Sequence, residues 1–212
     1  MSIRETRKEY ALGALDEDSV GNDPLKLFQQ WLDAAIAAEL PEPNAVALST
    51  VDEDGRPSSR IVLLRGFGPG GFEFYTNYRS RKARGMESNA FASLLFFWQP
   101  LERQVRIGGT VTRLSEAESD EYFQKRPFKT RLGAIASQQS EELPDRATLE
   151  RAVEQLENRY SPHDDVPRPA HWGGYRVSPD EYEFWQGRPS RLHDRFRFTL
   201  QDDSWVRKRL WP

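Results

Sequence analysis

The chain has 212 residues, 37% hydrophobic and 30% charged, with a formal net charge of −3 and no cysteine. That length suits one domain with a sizeable core, and the missing cysteines exclude disulfides, thiolate metal sites and cysteine nucleophiles while fitting a cytoplasmic home. A general affinity for nucleic acid needs a surplus of positive charge along one face, which this balance does not offer, and the longest apolar run, residues 90–98, is far short of the ~20 residues that span a bilayer.

The opening MSIRETRKEY has no charged region followed by an apolar stretch, so no secretory signal is expected. Residues 1–22 are charged with little periodicity, the pattern of a flexible N-terminal arm, in which Arg7, Lys8 and Tyr10 are placed to dock on a ligand. From Asp23 the pattern turns helical: Asp23 is an N-cap, Pro24 sits in the first turn, and Leu25, Phe28, Leu32, Ala35 and Ile36 share one face up to Leu40. Residues 45–51 and 59–64 flank a turn as a β-hairpin, and a strand at 72–76 follows the Gly-Pro-Gly-Gly turn. Residues 80–88 read as a short polar helix, and 90–98 and 103–114 as two more strands. Ser115 and Glu118 form a capping box for a helix reaching about Lys125, with further helices over 129–138 and 145–160. After a proline-punctuated loop, strands resume at 174–177, 181–185, 194–200 and 205–210. Hairpins dominate and no βαβ alternation occurs. The expected fold is therefore mainly β with flanking helices, an antiparallel barrel formed by a single domain over residues 23–212.

No GxGxxG follows a strand and no GxxxxGK[ST] or GxSxG occurs, so bound phosphate would have to be gripped by side chains. One cluster suited to this is Tyr75, Thr76, Arg79, Ser80, Arg81 and Lys82, at a strand end entering a helix. Its plain alternative is a solvated helix start. Arg60 and Arg65 flank an apolar run and need a ligand or a buried partner; five apart, they fall on opposite faces of a regular strand. Tyr122 and Arg126 are four apart on one helical face with Thr130 just beyond, a second phosphate grip unless Arg126 only snorkels to water. The segment 171–195 gathers two tryptophans, a glycine pair, four arginines and two histidines, a mixture suited to a flat anionic ligand. Within it His193 is placed to touch a substrate, its plain alternative being a hydrogen bond within its own loop, whereas the spacing of His163, His171 and His193 predicts no metal site.

The motifs RIVLLRG at 60–66, FYTNYRSRK at 74–82, LERQV at 101–105, YFQKRP at 122–127, SQQS at 137–140, WGGYRV at 172–177, EFWQG at 183–187 and RLHDR at 191–195 occur in order along nearly the whole chain. Together they resemble the pyridoxamine 5'-phosphate oxidase family of flavoenzymes. The resemblance implies a split β-barrel that binds FMN at a homodimer interface and oxidises pyridoxamine or pyridoxine 5'-phosphate to pyridoxal 5'-phosphate, with dioxygen as acceptor and hydrogen peroxide as product. It implies FMN contacts at Arg60, Ile61, Val62, Leu63, Leu64 and Arg65, at Tyr75, Thr76, Arg81 and Lys82, and at Gln104, Gln139, Ser140, Trp185 and Arg195. Substrate contacts fall on Arg65, Tyr122, Arg126, Thr130, Arg191, Leu192 and His193, with Arg7 and Tyr10 as a lid, and the catalytic roles fall to Arg191 and His193. Two positions depart from the family pattern: Arg65 stands where Lys is usual, and Thr130 where Ser is usual. Competing readings are a related split-barrel flavin enzyme with another substrate, and a non-catalytic carrier of FMN or pyridoxal phosphate.

Overall fold

The structure is a computed structural model that describes residues 9–212, so Arg7 and Lys8 lie outside the described residues. One antiparallel sheet runs in the order β2-β1-β5-β6-β7-β4-β3, with β8 added to β7 and β9 to β8. Its strands are β1 (Ala45–Val51), β2 (Pro57–Leu63), β3 (Gly66–Gly68), β4 (Gly71–Asn77), β5 (Phe91–Trp98), β6 (Arg103–Arg113), β7 (Trp172–Gln186), β8 (Asp194–Gln201) and β9 (Ser204–Leu210). The sheet curls until β2 and β4 touch, which leaves a half-closed barrel.

Alternation along each strand decides which side chains fill it. Leu48, Leu94, Phe96, Val105, Ile107, Phe184 and Phe198 point inward with no exposed surface. Helix α2 (Pro24–Ala37), capped by the Asp23 carboxylate on the Leu25 and Lys26 amides, plugs the barrel with Phe28. That ring meets Phe72 at 4.9 Å, Phe96 at 5.0 Å and Phe67 at 5.1 Å, all edge to face, an arrangement favoured by the aromatic quadrupole. The helix stops short of Leu40 because Glu39 adopts a left-handed backbone (φ 51°).

Helices α3 (Arg81–Ser88), α4 (Glu116–Gln124), α5 (Phe128–Ala136) and α6 (Arg146–Arg159) complete the fold. The Ser115 and Glu118 capping box forms as the spacing requires. A satellite core of Phe123, Leu132, Val166 and Trp172 joins α4 and α5 to the start of β7. Among the described residues no helix is long and apolar enough to cross a membrane.

Three sequence expectations change. The two strands predicted at 174–177 and 181–185 are one 15-residue strand, β7. Pro179 is tolerated because it faces Gly109 at the register shift, next to Asp180, the extra residue left without a partner, and a bulge is one of the few places in a sheet that accept proline. Second, residues 9–22 pack onto the barrel: Leu15 and Val20 are buried in the core, and α1 (Glu17–Val20) is capped by Asp16. The Leu15 amide donates to Asp194, and Arg209 binds Glu17 and the Leu15 carbonyl. These partners are some 180 residues away in sequence, so local periodicity carries no sign of them. Third, Arg65 lies beyond the end of β2, so the parity argument that set it opposite Arg60 does not apply.

Candidate active site

A cleft of about 840 Å³ opens where β2 and β4 meet α3 and α5, a size that suits one cofactor with a small ring beside it. Among the described residues five cations line it, Arg60, Arg65, Arg81, Lys82 and Arg126, and no carboxylate does; the nearest acid partner is Asp52, 3.5 Å from the Arg81 guanidinium. Such an imbalance is unfavourable unless anions enter.

The cations fall into two groups. At the first, the β4 end turns into α3. Ser80 caps the helix through the Ala83 amide, and the Lys82 ammonium donates to Thr76 Oγ1 at 3.1 Å and Gln139 Oε1 at 2.8 Å. The Arg81 amide donates to Ser140 Oγ, whose residue adopts a left-handed turn (φ 76°). Arg60 reaches across the hairpin to Leu48 O and Thr50 Oγ1, and along its own strand to Ser58 Oγ. Burial, with Arg60 adding its charge, pushes the Lys82 pKa down to about 8. Burial and then Arg81 likewise lower that of Arg60. Three cations crowded around hydroxyls, an amide and a helix N-terminus form a cradle for a phosphate dianion.

The second group pairs Arg65 and Arg126 with an aromatic stack. Tyr75 and Tyr122 lie 3.9 Å apart at 15°, and Trp172 continues the stack at 5.6 Å from Tyr75. The Arg126 guanidinium sits 4.5 Å over the Trp172 ring. Among the described residues its buried Nη1 has no hydrogen-bond partner, and burial, reinforced by Arg65, lowers its pKa. A buried donor left unpaired is expensive, so the chemistry of the donor set fits a second anion. The expected helical pairing of Tyr122 and Arg126 is corrected: α4 ends at Gln124, and the Arg126 amide bonds Phe123 O in the turn leading to α5. Both side chains line the cleft all the same, as does Thr130.

Of the other expected contacts, Ile61, Val62, Leu63, Tyr75, Thr76, Gln139 and Ser140 also line this cleft, and Leu64 does not, being buried in the core. Sequence reasoning missed Asn77, Gly133, Ala134, Ser137 and Trp172 as lining residues. Asn77 lies inside the quoted FYTNYRSRK motif, whereas the α5 residues carry no chemical signal.

A second set lies outside the cleft: Tyr10, Gln104, Trp185, Arg191, Leu192, His193 and Arg195. Gln104, Trp185 and Arg195 sit side by side across β6, β7 and β8, with neighbours Val105, Phe184 and Phe196 turned into the core. Tyr75 in the cleft pairs with Gly174 on β7, and Trp185 is eleven residues further along that strand, up to roughly 36 Å away at ~3.3 Å per residue. His193 packs its ring 4.6 Å from Trp185 and 5.8 Å from Tyr10, and its Nδ1 accepts from the Arg188 amide. Burial and then Arg191 lower its pKa, so the ring is neutral at pH 7 with Nε2 protonated. Arg191 and Leu192 are exposed, and Ser190 and Arg191 both have left-handed backbones (φ 56° and 61°), a strain of order 1–3 kcal/mol each.

The glycine pair of WGGYRV serves packing. A Cβ on Gly174 would overlap Leu114 and Tyr75, and one on Gly173 would overlap the Tyr78 hydroxyl. The pair thus lets the Tyr75 ring lie flat at the cleft wall.

Comparison with known proteins agrees with this arrangement. The model of the pyridoxamine 5'-phosphate oxidase family matches residues 32–160, more than half of the chain. The chain belongs to the pyridoxamine 5'-phosphate oxidase family. Residues 172–212 match the pyridoxine 5'-phosphate oxidase C-terminal dimerisation region, which supports a homodimer. The pyridoxine/pyridoxamine 5'-phosphate oxidases of Herminiimonas arsenicoxydans and Neisseria gonorrhoeae are 54% and 50% identical, each over all of both chains. Among solved structures, PhzG from Burkholderia lata 383, in complex with tetrahydrophenazine-1-carboxylic acid, is 33% identical with a TM-score of 0.89 over 95% of this chain and 100% of its own. A pyridoxamine 5'-phosphate oxidase-related, FMN binding protein from Nostoc punctiforme shares the fold at 18% identity and a TM-score of 0.72, over 91% of this chain and 100% of its own. The split-barrel fold is therefore as expected. The protein is an oxidoreductase, and FMN is the cofactor of its family.

Proposed function

We propose that the protein oxidises pyridoxamine or pyridoxine 5'-phosphate to pyridoxal 5'-phosphate, with dioxygen as final acceptor and hydrogen peroxide as product. For the amine, water supplies the aldehyde oxygen and ammonia leaves. The observation that carries this reading is the pairing of two cationic groups in one cleft, with no carboxylate among the described residues that line it and only Arg81 paired with an acid, Asp52 at 3.5 Å, which suits one phosphate from the cofactor and one from the substrate.

Lys82, Arg81 and Arg60, with Thr76, Gln139 and Ser140, would hold the FMN phosphate. Arg126, Arg65, Tyr122 and Thr130 would hold that of the substrate. Bound FMN supplies the two-electron acceptor that side chains lack. Gln104, Trp185 and Arg195 do not line the cleft and sit across β6, β7 and β8 toward the far end of β7 from Tyr75, which supports an interfacial site where a second copy contributes them. In that arrangement Arg191 and neutral His193 of the second copy approach the substrate ring. Arg191 offers a cation, and His193 offers its Nε2 proton as a hydrogen-bond donor while the Arg188 amide holds its orientation. The exposed Leu192 between them and Tyr10 against Trp185 would close over the ring. A cysteine-free chain of this kind fits the cytoplasm.

The test is direct: purified protein is examined for flavin absorbance, then given pyridoxamine 5'-phosphate in air while peroxide and pyridoxal phosphate are followed. Tight flavin binding with no product would refute the oxidase reading and favour a carrier. The likeness to PhzG supports a second reading, a flat tricyclic carboxylate as substrate. Oxidation of such a compound at a higher kcat/KM than pyridoxamine phosphate would favour it.

A further inference from the structure

Glu183 is the one acidic residue of β7 that is buried, 5% exposed, although its side chain points to the outward face of the sheet. Two arginines cover it. Arg106 on the neighbouring β6 donates Nη2 to Oε2 at 2.6 Å, and Arg195 on β8 donates Nε and Nη2 to Oε1 at 3.0 and 2.8 Å. Arg195 has a third tie, from Nη1 to the backbone carbonyl of Trp211 at 2.8 Å. The indole of Trp211 is 90% exposed, so the chain end contributes its carbonyl to this grip while its ring stays open to solvent. A guanidinium carries five N–H donors in a rigid plane. Three are engaged here, which leaves one on each Nη without a protein partner among the described residues.

Placing a carboxylate there is costly. Desolvating it offsets much of the ion-pair gain, and apolar residues of similar size often serve stability as well or better. The barrel interior does not require it, since Tyr182 and Phe184 on either side fill the core. What the arrangement does achieve is orientation: with its Nε edge on Glu183 and one Nη on Trp211, the Arg195 plane cannot turn, and its two remaining donors keep one direction.

We infer that Glu183 and the Trp211 carbonyl are positioning elements that hold Arg195 in the orientation needed to grip the ligand in the cleft of a second copy. Neither touches that ligand. The inference rests on the reading of Arg195 as a flavin contact, and predicts that FMN retention depends on a buried carboxylate and on the last two residues of the chain.

A double-mutant cycle tests it. FMN affinity is measured by quenching of flavin fluorescence on the full-length protein for wild type, Arg195→Gln, Glu183→Gln and the double variant, with dimer mass followed by light scattering. Losing a charged hydrogen bond, Arg195→Gln and Glu183→Gln should each bind FMN about tenfold more weakly or worse. The double variant should be no weaker than Arg195→Gln within about twofold. A purely structural Glu183 would weaken FMN equally in both backgrounds, and that additive result overturns the inference, as does wild-type affinity in Glu183→Gln when Arg195→Gln has lost it. If Arg195→Gln binds FMN as the wild type does, the flavin-contact reading itself fails and the positioning role falls with it. Should Glu183→Gln not assemble, a chain ending at Leu210 removes the other tie and leaves the carboxylate in place. It should weaken FMN severalfold with Arg195 present and not at all in the Arg195→Gln background; equal losses in both overturn the inference.

Discussion

Replacing Lys82 by Met should move folding and cofactor binding in opposite directions. In the ligand-free protein the Lys82 pKa falls from 10.5 to about 8 through burial and the charge of Arg60. Each pKa unit is worth about 1.36 kcal/mol, so the charged form costs at most roughly 3 kcal/mol. Water reaching the ammonium and its bonds to Thr76 and Gln139 reduce this to about 1 kcal/mol net. Because the folded pKa lies below the unfolded one, that cost is fully present below pH 8 and disappears as pH rises from about 8 to 10.5. Apo Lys82→Met should therefore melt a few degrees higher than the wild type at pH 7, with an advantage that shrinks over this window. FMN affinity should fall about tenfold or more through loss of a charge-assisted phosphate contact. In the wild type it should decline above about pH 8, as Lys82 loses its proton, and in Lys82→Met this step should be absent. Calorimetry of the apoprotein from pH 7 to 10.5 and FMN titrations over the same range measure both effects. A variant that melts lower and binds FMN with the wild-type pH profile would refute the reasoning.

Arg126→Met removes a buried cation whose Nη1 has no partner among the described residues; KM for pyridoxamine 5'-phosphate should rise about tenfold or more with flavin content unchanged, and competition by inorganic phosphate should disappear, as steady-state kinetics would show. Gly174→Ala places a methyl group against Leu114 and Tyr75, so denaturant unfolding should show a loss of about 1–3 kcal/mol, accompanied by weaker FMN binding as the Tyr75 ring shifts. Phe28→Ala empties the centre of the barrel, where the ring is fully buried, and should cost about 3–5 kcal/mol by the same assay.

Much of this molecule could be read along the chain. Caps at Asp23 and Ser115, period-two alternation and turn residues act over a few positions, so the helices and hairpins were predicted close to where they lie. Arginine and hydroxyl spacing pointed to anion grips, because it reflects the chemistry of anions, and the flavin was implied only by the family resemblance of the ordered motifs. What local pattern could not supply was the geometry set by distant partners. The continuity of β7 through Pro179 depends on a register shift in β6, and the docking of residues 9–20 depends on Asp194 and Arg209, near the other end of the chain. Residues expected around one ligand divide into a cleft at the barrel seam and a cluster at the far end of β7, since the length of a strand sets how far apart its two ends must be. Sequence determined which groups have the charge and hydroxyls suited to anions; the curl of the sheet decided which of them can meet within one protomer, because strand pairing brings together residues that the chain itself keeps far apart.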